Sequence, residues 1–241
     1  MTDRTEGRLL GGRLRHDQPA IGHRTALEPV LLAAAIPARA GERVLEAGTG
    51  SGAALLCLAA RVPGVSGVGI ERDAAMAELA RGNFAANGFA GLAVLCADLA
   101  DARPDGTFDH AFANPPWHDP AGTASPTPGR EQARRSAPGL LAAWANRLAA
   151  PLRHRGTVTL VVPASVLPGC LAAIKAAGCG TVCVFPLWPK AGREAKLLLV
   201  RGVKGGRGPC RLLPGLVLHR DSGGFTAAAD AVLRDGAGLA F

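Results

Sequence analysis

The stretch that most constrains this chain is Val44-Leu45-Glu46-Ala47-Gly48-Thr49-Gly50-Ser51-Gly52. A short apolar run meets an acid, three glycines follow at alternate positions, and Ala53 to Ala60 continues at helical composition. The pattern predicts a buried strand, a tight loop and a helix N-terminus, the first βα turn of a nucleotide-binding α/β domain. Glycine suits such a loop because the backbone can turn at positive φ and a ligand can approach without meeting a Cβ. The same glycines occur in ordinary βα turns, so the partners downstream decide what the loop is for.

Read in order, the chain alternates strand and helix signals. Residues 1–7 read as a frayed end, and Arg8 to Arg15 as a short hairpin turning at Gly11-Gly12. Thr25 is placed to cap a helix through Leu27, Val30, Leu31 and Ala34. Ser66 to Glu71 reads as a second strand, with Asp73 capping a helix that ends at Asn87-Gly88. Strands are expected at Leu92–Cys96 and Phe108–Ala113. Residues 118–139 form a loop rich in Pro, Gly, Ser and Thr. Helices are then expected around Leu140–Leu152 and Leu167–Ala177, with strands at Thr157–Val162, Thr181–Phe185 and Lys196–Val203. The last two strands leave too little chain between them for a crossover helix, so they should pair antiparallel. The tail offers an apolar segment at Leu212–Leu218 and a short helix at Ala227–Arg234. Alternation of this kind implies a mostly parallel sheet with right-handed crossovers.

In such sheets ligands sit beyond the carboxyl ends of the strands. Glu46, Glu71, Asp98 and Asn114 all fall there. Glu71 lies 19 residues past Gly52, close to the ~20-residue spacing at which an acid meets ribose hydroxyls. Asp98 is placed either to accept from an adenine amine or to cap its own loop. Asn114-Pro115-Pro116-Trp117 is the most specific feature. Two prolines fix the backbone and leave carbonyls as pre-set acceptors. An Asn oxygen and a neighbouring carbonyl can take both protons of one planar NH₂ group, and Trp117 offers a face for stacking. Such a site draws the amine lone pair out of conjugation by positioning and electrostatics, with no strong general base.

Charge is unevenly spread. The net charge is +8, yet residues 1–129 carry 11 basic and 14 acidic side chains, against 16 and 5 in residues 130–241. The +11 second half points to a polyanionic partner, with Arg130, Arg134 and Arg135 in the long loop as candidates for phosphate contact, or else to an Arg-rich solvated surface. Six cysteines show no CxxC pair and, with six histidines, no metal-ligand spacing. No targeting segment opens the chain, and the longest uncharged run, Gly156 to Ile174, is broken by Pro163, Pro168 and Gly169. A cytoplasmic protein without bound metal is expected. His16-Asp17 and His118-Asp119 have the look of dyads, but no Ser or Cys nucleophile is placed with them by sequence, and His118 adjoins the expected pocket.

Val44–Gly52, Glu71, Asp98 and Asn114–Trp117 together resemble the motif set of the class I S-adenosylmethionine-dependent methyltransferases. The Asn-Pro-Pro-aromatic form resembles the branch that methylates planar nitrogens, and most of all the tRNA(Val) adenine-N6 methyltransferase family. The likeness extends to Gln18-Pro19, Gly22-His23-Arg24, Glu28 to Ala33, the stretch around Trp144 and Pro214 to His219. It implies an α/β fold: a Rossmann-like seven-stranded sheet, mostly parallel with an antiparallel last strand. A small hairpin and helix extension over residues 1–40 would precede a methyltransferase domain over 41–241. The resemblance implies that Glu46, Ala47, Gly48, Gly50 and Gly52 line the methionine and ribose part of S-adenosylmethionine. Glu71 and the adjacent Arg72 would hold the ribose, Asp98 the adenine end, and Arg24 would close over the cofactor. Asn114 with Pro115, Pro116 and Trp117 would take the target amine. Three positions depart from the family pattern: Glu46 and Glu28 stand where Asp is usual, and Trp117 where Tyr or Phe is usual.

The expected activity is methylation of the N6 amine of an adenine in tRNA. Two other readings remain open on the sequence. One keeps the enzyme but makes the acceptor a protein glutamine amide or a small amine; the other is a non-catalytic RNA-binding scaffold.

Overall fold

The computed structural model describes residues 4–20, 26–116 and 137–241. One large sheet organises it. Its strands are β3 (Arg43–Ala47), β4 (Ser66–Glu71), β5 (Leu92–Cys96), β6 (Phe108–Ala113), β7 (Leu152–Pro163), β8 (Cys179–Trp188) and β9 (Leu197–Lys204). Two-residue strands β10 (Arg211–Leu212) and β11 (Leu216–Val217) both pair with β8. The spatial order is β10-β8-β9-β7-β6-β3-β4-β5. All pairings are parallel except the two made by β9. The expected α/β fold, with its seven core strands and antiparallel hairpin of β8 and β9, is therefore present. The tail adds two short strands that the apolar segment at Leu212–Leu218 did not reveal.

Helices cover both faces, so Val44 to Ala47 of β3 and His110 to Ala113 of β6 are buried on both sides of the sheet. On one face α1 (Glu28–Ala35), α2 (Ala53–Arg61), α3 (Ala74–Ala86) and α6 (Ala227–Leu233) share a core with Val44, Phe112, Val161 and Leu199. On the other, α4 (Ala137–Ala149) and α5 (Leu167–Ala176) enclose Leu45, Ala47, Ala111, Ala113 and Leu160. The alternation of Val44 and Leu45, or Ala111 and Phe112, between the two cores is the period-2 geometry of a strand. Asp73 caps α3 as expected, its side chain accepting from the amides of Ala75 and Met76.

Several boundaries differ from the sequence reading, among them the start of α1, whose N-cap is Leu27 and not Thr25, and β8, which extends to Cys179 and Trp188. Helix α4 begins at Ala137, so residues 137–139 leave the long loop for the helix. β7 begins five residues early, at Leu152, ahead of a register irregularity in its pairing with β6. The N-terminal hairpin is longer than expected, with β1 (Arg4–Leu9) against β2 (Leu14–Pro19), so residues 4–7 are strand and not a frayed end. The reason is a tertiary one. β2 is docked along its outer edge by side chains of α3, which extends the ordered ladder past what local turn chemistry suggests.

The chain runs β3, β4, β5 outward in one direction and then returns to place β6 on the opposite side of β3. This is the point where strand order reverses. The crevice outside the carboxyl ends of β3 and β6 is therefore where the topology opens a ligand site.

Candidate active site

Two loops leave the sheet at that crevice. After β3 comes Gly48 to Gly52, and after β6 comes Asn114-Pro115-Pro116; Ala47 and Ala113, which precede them, are register partners. Pairings of Ala47 with Ile70, and of Glu71 with Cys96, bring the ends of β4 and β5 alongside. Glu46, Ala47, Gly48, Gly50, Gly52, Glu71, Arg72, Asp98, Asn114, Pro115 and Pro116 thus collect along one edge of the sheet. Arg24, Trp117, His118, Asp119, Arg130, Arg134 and Arg135 lie outside the described residues.

The loop is built as the glycine pattern implies. Gly48, Gly50 and Gly52 adopt φ of 66°, 55° and 85°, a region that costs a residue with a Cβ. At Gly52 a Cβ would lie 2.5 Å from Phe84 Cε1, and at Gly48 one would lie 2.9 Å from Trp144 Cη2. Gly50 is different: its nearest neighbour would be the Met76 methyl at 3.8 Å. Two glycines let side chains pack under the loop, and the middle one leaves an open cradle.

The three carboxylates have different surroundings. Glu71, half-buried, accepts from the Gly50 amide at 2.9 Å through Oε2 and from the Asp73 amide at 2.9 Å through Oε1. Each oxygen keeps a lone pair for a further donor. Asp98 is exposed and uses Oδ1 to accept from the Ala100 amide at 2.9 Å, so it caps its own turn, and no described residue bonds its second oxygen. Glu46 is buried, accepting from Thr49 Oγ1 at 2.6 Å and feeling the Leu55 amide of α2. The N-cap of α2, Gly52, makes no side-chain capping bond. Burial nevertheless dominates, pushing the Glu46 carboxyl up to about 8 against the pull of both donors, with Glu71 adding repulsion.

No Lys or Arg side chain among the described residues bonds any of these three carboxylates. A pyrophosphate would meet repulsion here. A diol held by a carboxylate and a cationic group beside buried acid both fit the donor set, and these are the ribose and the sulfonium-bearing methionine of S-adenosylmethionine. Asn114 is half-buried above Ala113, and the ring of Pro115 is buried behind it. None of the described residues engages the Asn114 carboxamide.

Sequence reasoning missed several residues that shape the site. Thr49 holds Glu46. Trp144 of α4 packs against the Ala47 and Ala113 core and fills the space under Gly48. Ser51 exchanges a hydrogen bond with His16 Nε2 at 2.8 Å, so a serine does stand beside the first of the two His-Asp pairs. Both side chains are buried, Asp17 turns its carboxylate to Arg15, and burial lowers His16 to about 4. A weak base shut away from solvent is a structural bond and not a nucleophile pair. The signal that could have found this cluster is Asn83, a polar residue in the apolar stripe of α3. The six cysteines are all free, four of them buried, and no group of three or more metal-ligating side chains occurs among the described residues. No described helix is long and apolar enough to cross a membrane.

The comparisons with known proteins agree on a methyltransferase family. A family model described as Methyltransferase small domain matches residues 28–130. The tRNA1(Val) (adenine(37)-N6)-methyltransferase of Aeromonas hydrophila is 31% identical over 217 residues, 88% of each chain. The enzyme of the same name from an Enterobacter species is 37% identical over 156 residues, so that this chain covers 61% of its length. Among solved structures, a protein from Agrobacterium tumefaciens described as a predicted O-methyltransferase superposes with a TM-score of 0.74. It is 25% identical, over 88% of this chain and 98% of that one.

Proposed function

The chain belongs to the class I S-adenosylmethionine-dependent methyltransferases, and from that membership we propose that it methylates the exocyclic N6 amine of an adenine in tRNA. The observation that carries the proposal is the position of Asn114-Pro115 at the reversal point of the sheet, one strand from a glycine loop lined by acidic side chains that no described cation pairs. The names of the relatives favour tRNA, and so does the +11 charge of residues 130–241.

S-adenosylmethionine is the cofactor, and when bound it supplies an electrophilic methyl group on a sulfonium. In our reading Glu71 takes the ribose hydroxyls, Asp98 accepts from the adenine amine, and the cradle over Gly50 admits the ligand. Gly48 and Gly52 shape that cradle from below, and Arg72 and Arg24 flank the ribose. Glu46 lies nearest the cationic end. The Asn114 side-chain oxygen and the Pro115 carbonyl accept the two protons of the target amine. These two acceptors would pull the amine lone pair out of conjugation and orient it for transfer, and the proton that the nitrogen sheds would pass to water. Pro116 stiffens the turn, and Trp117 stacks on the base. An amide of glutamine is planar too, and its protons would meet the same two acceptors; the basic half of the chain is what favours RNA.

The test is methyl transfer from labelled S-adenosylmethionine into total tRNA, total protein and a metabolite extract, with digested RNA read by mass spectrometry. Label recovered as N6-methyladenosine in tRNA is the expected result. Label on glutamine in protein, or on a small amine, would keep Asn114 as the acceptor and overturn the substrate. Cofactor binding without transfer to any pool would leave the scaffold reading.

A further inference from the structure

We infer that His16 and Asn83 are positioning residues that join the N-terminal hairpin to the cofactor loop, so that docking of the hairpin and binding of S-adenosylmethionine favour one another. The inference rests on the reading that Gly48 to Gly52 holds the cofactor.

The edge of β2 is held by a surrogate strand. Asn83 Oδ1 accepts from the Asp17 amide at 2.8 Å while its Nδ2 donates to the Asp17 carbonyl at 2.8 Å. Four residues along α3, Asn87 repeats the pattern, accepting from the Arg15 amide at 3.0 Å and donating to the Arg15 carbonyl at 2.7 Å. The geometry explains the match. Four residues of helix advance about 6 Å, and two residues of strand advance about 6.8 Å. Two carboxamides one turn apart therefore satisfy the alternate backbone groups that an edge strand leaves open.

The same machinery grips the loop. Asn83 Nδ2 also donates to the Ser51 carbonyl at 2.9 Å, and His16, pointing inward between Arg15 and Asp17, meets Ser51 Oγ at 2.8 Å. His16, Ser51 and Asn83 are 1%, 6% and 2% exposed, so none of these bonds competes with water. Ser51 sits between Gly50, whose amide faces Glu71, and Gly52, which starts α2. Fixing its carbonyl fixes the Ser51–Gly52 peptide plane, and fixing its hydroxyl holds its side-chain rotamer. A loop with three glycines has much backbone freedom to lose, and a loop already held in shape loses less when ligand arrives. Coupling between sites is reciprocal, so ligand in the loop must also steady the hairpin.

The test is amide hydrogen exchange on the full chain with and without S-adenosylhomocysteine, read over residues 4–19 and 48–56. Expected is slower exchange in both segments of the unaltered protein. In His16→Ala the loop should still be protected while the hairpin no longer responds, and the dissociation constant should rise about tenfold, the scale of one to two buried hydrogen bonds. The kcat at saturating cofactor should stay within about twofold, because the acceptor at Asn114 is untouched, and His16→Gln should restore part of the hairpin response. Protection of the loop with an unresponsive hairpin in the unaltered protein would overturn the coupling and leave the site intact. Absence of protection in both segments would instead overturn the placement of the cofactor. Because the unaltered protein decides between these outcomes, a variant that fails to fold does not remove the test.

Discussion

The two ends of strands β3 and β6 treat charge in opposite ways. At the amino ends, Glu42 and Asp109 share one cation, Arg153. The Arg43 amide donates to Asp109 at 2.8 Å, and His110 bridges Glu42 at 3.0 Å and Thr157 at 2.8 Å. At the carboxyl ends, Glu46, Glu71 and Asp98 stand together with backbone amides and one hydroxyl for partners, and no described cation. Compensated charge ties loops and strand ends together; uncompensated charge is tolerated where a ligand completes it. The sheet thus has a structural end and a working end, and the difference is visible in what each carboxylate is bonded to.

The sharpest way to test this contrast is to remove the neutral member of the working end. Asn114→Ala should lower kcat by roughly 100-fold or more, the scale of losing a placed transition-state acceptor. The dissociation constant for S-adenosylmethionine should hold, as measured by calorimetry. Equal loss of both would make Asn114 a folding residue and erase its place in the contrast. Glu71→Ala should do the reverse, raising the dissociation constant tens of fold with a smaller effect on turnover at saturation. An unchanged constant would remove Glu71 from the site and leave the amide of Gly50 as its whole purpose.

Much of this was legible in the chain because parallel strands and glycine loops leave local marks. Asp73 and Asn87-Gly88 bound α3 by side-chain and backbone chemistry that needs no tertiary partner, and the edge acids were countable from strand ends. What was hidden depends on contacts across the sequence. His16 meets Ser51 across 35 positions, and Trp144 underlies Gly48 across 96; neither pairing has a spacing rule. The terminal strands β10 and β11 were illegible for another reason: at two residues each, they are too short for alternation to register. Glu46 was legible as an acid at a strand end, but its buried bond to Thr49 was not, since that bond needs the loop to fold back over it.

Glu46 supplies a smaller and more specific effect. Its carboxyl stands near 8 in the folded chain against 4.5 for a free glutamate. A raised acid contributes stability below its unfolded value and loses that contribution as pH climbs through the folded one. The free protein should therefore lose stability from about pH 5 to pH 8. A cation seated beside Glu46 favours the ionised form and opposes that loss. The rise in melting temperature given by S-adenosylmethionine should grow from pH 6 to pH 8.5, by a few degrees. Glu46→Gln should flatten the trend. A gain independent of pH in the unaltered protein would place the cation elsewhere.

The structural end should respond least, and in a different quantity. Arg153 is half exposed, so its pairs with Asp109 and Glu42 are screened by solvent and salt, and Arg153→Ala should cost no more than about 1 kcal/mol of stability in a urea titration. His110 adds a second sign to check. Burial lowers it despite the Glu42 carboxylate, so the folded chain resists its protonation and stability should fall as pH drops below about 6.5. His16 at the other end has the same sign, and the two separate by what they disturb. A variant at His110 or Arg153 should shift the unfolding midpoint while leaving kcat/KM per folded molecule within about twofold. One at His16 should show chiefly in the affinity for cofactor. If Arg153→Ala instead weakened cofactor binding, the two ends of the sheet would be energetically one unit, and bonding pattern alone could not tell a structural carboxylate from a working one.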